Sequence, residues 1–218
     1  MVIIYALILT IAGCANDEQV TSDTLAIRAA TTELGIKPST NQVEDFLNKN
    51  RKFISSYDTD TCFNITPDFV AENSEFSVFK YSISSGSFLL YDGEFYSLGM
   101  FGGLTSVALA DLDRDSRYEL YFTSGWGSGI YRSQIGYFNP ATKKVTVFDF
   151  QYFDHDMILT TDEPGTSLFV KEAAIEYVSL VDLKLKSDNK LIATIVSEKG
   201  KIKLSYWKTQ YSPRPFIT

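Results

Sequence analysis

Four acidic side chains crowd one short segment of the chain: Asp111, Asp113, Asp115 and Glu119, at positions 1, 3, 5 and 9. Carboxylates that close repel, and each makes its neighbours harder to ionise. A bound cation removes that cost, because the ion becomes the largest local charge. Carboxylate oxygens suit hard cations rather than the soft metals that take sulfur. Calcium accepts roughly six to eight oxygens at about 2.3–2.6 Å in a forgiving geometry, whereas magnesium demands a tighter octahedron. The expectation is a calcium loop. The competing reading is a solvated acidic turn, since Asp favours turns through its own local hydrogen bonds.

Such a loop needs a strand at each end. Leu104 to Ala110 and Glu119 to Thr123 have the right composition and flank it. The wider stretch contains Phe101-Gly102-Gly103, Ser106-Val107-Ala108, the acidic loop and then Glu119-Leu120. It resembles one FG-GAP (or VCBS-type) repeat, spanning 101–138. In that family the repeats form blades of calcium-binding β-propellers. The resemblance implies that Asp111, Asp113, Asp115 and Glu119 are metal ligands, with the backbone carbonyl of Arg117 at the seventh position. This chain departs from the pattern twice. Ser116 stands where the family has Gly, at a point where φ > 0 is expected. Glu119 replaces Asp and reaches one methylene further. Calcium affinity is therefore expected at the weak, extracellular end, roughly 10⁻⁴ to 10⁻³ M.

Ser124-Gly125-Trp126-Gly127-Ser128-Gly129 follows the second strand directly, and Tyr131 and Arg132 come next. Glycines around a Trp can present the ring for stacking on a sugar or peptide. Arg132 suits an anionic ligand, a stack on Trp126, or charge balance for the acidic loop. Trp126, Tyr131 and Arg132 are thus candidate ligand-binding residues. The alternative is a sharp connection with Trp126 covering the core edge.

Asp154-His155-Asp156 reads as a surface turn, because the chain has a single histidine. No nucleophile elbow, phosphate loop or zinc spacing is present. These observations favour a non-catalytic binding module. The alternative is a carbohydrate-active hydrolase with a carboxylate pair, for which 27 acidic residues leave candidates.

The first residues bear on location. Val2 to Ala12 is apolar and too short for a bilayer span, which needs roughly 20 residues. Ile11-Ala12-Gly13-Cys14 resembles the lipobox of bacterial lipoproteins, and polar residues follow at once. The resemblance implies a signal peptide over 1–13, lipidation of Cys14, and export to a bacterial membrane facing periplasm or exterior. No basic residue precedes the apolar run, which departs from the usual pattern. Residues 14–40 would form anchor and tether. The partners expected are the membrane, through the anchor, and an envelope protein or glycan. A net charge of −7 argues against nucleic acid.

Residues 41–218 read as a single β-rich domain. Sixteen Phe and 13 Tyr favour strands. Asn41 to Ile54 has helical periodicity, giving a short N-terminal helical segment. Strands are expected at Phe76–Ile83, at Phe88–Tyr91 and Glu94–Leu98 around Asp92-Gly93, and at Ser133–Phe138 and Lys144–Phe150. Weaker strands fall at Ser167–Val170 and Ile175–Leu180, and a turn at Ser187 to Lys190. Further strands follow, with alternating lysines on the wet face. Cys62 is expected as a small buried hydrophobe. The fold expected is an antiparallel meander, either a partial, degenerate β-propeller-like array or a β-sandwich.

Overall fold

Residues 42–46, 62–81, 86–99, 104–126, 130–161, 167–177 and 183–206 are described by a computed structural model. All lie in the second of two compact units of the chain, Gly35–Thr218. Cys14, the signal and tether segments, Phe101 to Gly103, Gly127 to Gly129 and the C-terminal tail lie outside the described residues.

The strands form three four-stranded antiparallel sheets, each built from consecutive strands. The first sheet holds β1 (Cys62–Asn64), β2 (Ser77–Tyr81), β3 (Ser87–Tyr91) and β4 (Glu94–Gly99). A short helix, α1 (Asp68–Asn73), interrupts it between β1 and β2. The middle sheet holds β5 (Leu104–Ala110), β6 (Glu119–Trp126), β7 (Arg132–Asn139) and β8 (Lys144–Phe153). The third holds β9 (Asp156–Thr161), β10 (Ser167–Tyr177), β11 (Leu183–Glu198) and β12 (Lys201–Tyr206). The expected mainly β, antiparallel meander is thus present. The middle sheet shares one apolar cluster with the first sheet and another with the third, and the described strands close no barrel.

This sharing follows from the side-chain alternation of a strand, which sends successive residues to opposite faces. From β5 and β6, Val107, Leu109, Leu120 and Phe122 face the first sheet, where they meet Val78, Leu89 and Leu98. Ala108, Ala110 and Tyr121 face the third sheet and meet Met157, Leu159, Leu168 and Val170. Every residue of β5 is buried, and every residue of β6 except Trp126. Strands covered on both faces have no wet side, so their composition cannot show a polar alternation. Each large side chain buried here contributes about 1.5–3 kcal/mol of transfer free energy.

Polar side chains in this layer find backbone partners in β9 and in the turn that leads into it. Thr123 Oγ1 donates to Met157 O at 2.7 Å, Ser106 Oγ accepts from Leu159 N at 3.1 Å, and Ser133 Oγ donates to His155 O at 2.7 Å. Buried hydroxyls without such partners would each cost about 1–3 kcal/mol.

Several expectations change in the fold. Ser167–Val170 and the start of the second weak strand, to Tyr177, lie in one strand, β10, with residues 178–180 outside the described residues, and the turn expected at Ser187 to Lys190 lies inside β11. The turn-forming residues are taken up by register shifts between Glu172 and Ala174 and between Ala174 and Ile175. A bulge accommodates an extra residue without ending the strand. Cys62 is exposed, not buried. In the three-residue strand β1 it is Phe63 that packs against the core, so its neighbour must point outward. Residues 42–46 are helical with Val43 and Phe46 buried; the remainder of the expected helix lies outside the described residues.

Candidate metal centre

The acidic loop connects β5 to β6, as its sequence predicts. One carboxylate oxygen from each of Asp111, Asp113, Asp115 and Glu119 can be chosen so that all lie within 4.8 Å of one another. The local hydrogen bonds show how the chain folds that way. Asp111 accepts from two backbone amides, Asp115 N to Oδ1 and Ser116 N to Oδ2, both at 3.0 Å. Asp113 Oδ1 also accepts from Asp115 N at 3.2 Å, and Asp115 Oδ1 accepts from Arg117 N at 2.9 Å. These are the side-chain-to-backbone turns for which Asp is suited. They curl the loop so that its carboxylates converge.

Two non-glycine residues take left-handed backbone, Arg114 at φ 63° and Ser116 at φ 69°. The expectation for Ser116 therefore holds, and Arg114 shares the strain. Each costs about 1–2 kcal/mol relative to ordinary backbone.

Glu119 differs from its companions. It is the first residue of β6 and is fully buried, whereas Asp115 is exposed. Its Oε2 accepts from Leu112 N at 3.2 Å and from the Tyr121 hydroxyl at 3.0 Å. Its Oε1 accepts from Asn139 Nδ2 at 3.4 Å, and the same amide donates to Asp113 Oδ2 at 3.2 Å. The other end of the Asn139 amide, Oδ1, accepts from Thr142 N at 2.9 Å. Its orientation is thereby set, with the NH₂ toward the acids.

Burial pushes the Glu119 carboxyl up to about 8, and the nearby Asp113 charge adds to the rise. The Leu112 amide and Tyr121 hydroxyl oppose it. Asp111 is raised too, first by burial, with repulsion from Asp115 and Asp113, against the two amides that it accepts. Tyr121 is raised by burial and by Glu119 beside it. Among the described residues no Lys, Arg or His forms an ion pair with any of the four acids. Concentrated negative charge, hard oxygen donors and the lack of a side-chain counter-charge suit this cluster to holding a metal ion.

Asn139 and Tyr121 were not readable as parts of this site. Asn139 stands out in sequence only as the start of a turn before Pro140. Nothing local marks its approach to Asp113.

The Trp126 group lies elsewhere. Strand β6 begins at Glu119 and ends at Trp126. At about 3.3 Å per residue, this separates Trp126 from the acidic loop by roughly 20 Å or more. Arg132 pairs directly with Trp126 in the ladder, so it cannot balance the acids. Instead its guanidinium lies 5.0 Å from the Trp126 ring centroid and 5.7 Å from that of Phe153. The stack expected for Arg132 is present, and Phe153 supplies a second aromatic face. The Tyr131 hydroxyl donates to Asp156. Asp154 and His155 form the connection between β8 and β9, as a surface turn should, while Asp156 starts β9.

No family model, no curated protein and no solved structure matches the chain.

Proposed function

We propose that the loop over 111–119 binds calcium and that the protein is a calcium-stabilised, non-catalytic binding module of a bacterial cell envelope. The observation that carries the metal reading is the convergence of four carboxylates within 4.8 Å, one of them the fully buried Glu119. Calcium fits better than magnesium because it tolerates irregular shells of carboxylate, carbonyl and water oxygens. In this reading Asp111, Asp113, Asp115 and Glu119 supply carboxylates. The Arg117 carbonyl takes the seventh position and water completes the shell.

The ion would tie the end of β5 to the start of β6, so that binding energy becomes folding energy. The envelope location rests on the lipobox-like sequence ending at Cys14. Exported proteins meet calcium at concentrations that a weak site can use. The binding surface in this reading is the end of the middle sheet that carries Trp126, Tyr131 and Arg132, and its partner is an envelope protein or glycan.

Calorimetric titration of the chelator-treated protein tests the metal assignment. One calcium per chain is expected, with a dissociation constant of roughly 10⁻⁴ to 10⁻³ M. Loss of the signal in Asp113→Ala and little signal with magnesium would accompany it. A flat calcium titration, without any change in thermal midpoint, overturns the assignment.

A further inference from the structure

We draw no further inference here: the strongest candidate, the outward face of the first sheet where the partly buried Phe79, Phe88 and Leu90 lie near the exposed Phe95, carries none because nothing in the structure shows what covers it.

Discussion

The side-chain amide of Asn139 donates to Asp113 Oδ2 at 3.2 Å although 26 residues separate the two. It reaches Glu119 Oε1 as well, at 3.4 Å. The end of β7 is thereby joined to two of the four acids. Partners that orient metal ligands typically matter by about 10- to 100-fold in affinity. Asn139→Ala is therefore expected to weaken calcium binding by about that factor while leaving the sheet intact. Calorimetry paired with circular dichroism separates the two effects. Unchanged affinity would mean that the acids hold their geometry without the amide.

Calcium should raise the thermal midpoint. At 10 to 100 times the dissociation constant, a ligand that binds only the folded state adds about 1.4–2.7 kcal/mol. For a protein of this size that corresponds to about 3–10 °C. The rise should vanish in Asp111→Ala and in Asp113→Ala, and chelator should reverse it in the unmodified protein. Differential scanning fluorimetry with calcium, magnesium and chelator reads all three.

The metal-free protein should lose stability as pH rises. The folded-state pKa of Glu119 is about 8, above its ordinary 4.5. The folded state therefore holds a proton that the unfolded state releases. The stabilising contribution is complete below about pH 4.5 and is lost through the window up to about 8. Asp111 shifts in the same direction. Urea titrations in chelator at pH 5.5 and 8 should show the loss, and Glu119→Gln should flatten it. Calcium should oppose the loss, since the metal selects the ionised form. Equal stability of the metal-free protein at both pH values would contradict the burial of this carboxylate.

Ser116 sits at φ 69°, where a side chain is strained. Ser116→Gly removes about 1–2 kcal/mol of strain but frees the unfolded chain by about 0.4–1 kcal/mol. The net expected gain is between zero and about 1.6 kcal/mol, with slightly tighter calcium binding. Ser116→Val should go the other way, because a β-branched residue resists this region. Denaturation midpoints in the order Gly, Ser, Val check the prediction; a Val variant as stable as Gly contradicts it.

Two glycines of the middle sheet allow a comparison. A Cβ on Gly136 would meet Phe122 Cζ at 2.5 Å and the Thr146 carbonyl at 2.8 Å. One on Gly125 would meet the Tyr131 hydroxyl at 1.9 Å. The first clash involves backbone and a fully buried ring. The second falls on the end of a side chain that is 36% exposed, which can move aside by giving up its hydrogen bond to Asp156. Overpacking typically costs about 1–3 kcal/mol. Gly136→Ala should lie at or above the top of that range and Gly125→Ala near the bottom. Adding Tyr131→Ala should rescue only the Gly125 variant, which chemical denaturation would reveal.

The acidic loop was legible in the sequence because its determinants are local. Asp at alternate positions bonds its own backbone two to five residues on, so spacing alone specifies the turn and the convergence of its carboxylates. The need for positive φ at Ser116 could be read in the same way. So could the Asp92-Gly93 hairpin, where two adjacent residues take left-handed backbone. The β class was readable from aromatic content and from the alternation in strands with one wet face.

Tertiary structure decided what depends on distant pairing. Strands β5 and β6 are covered on both faces, which erases the alternation by which other strands are recognised. The residues of β11 that look like a turn become a bulge only because β10 runs alongside to hold them. The short strand β1 turns Cys62 outward because its pairing commits Phe63 to the core. The burial of Glu119 and the approach of Asn139 depend on the pairing of β6 with β7. That pairing also sets Trp126 and Arg132 at the opposite end of β6 from the acids. Adjacency along the chain brought the acidic loop and the Trp126 segment together on paper; an extended strand, at about 3.3 Å per residue, keeps them apart.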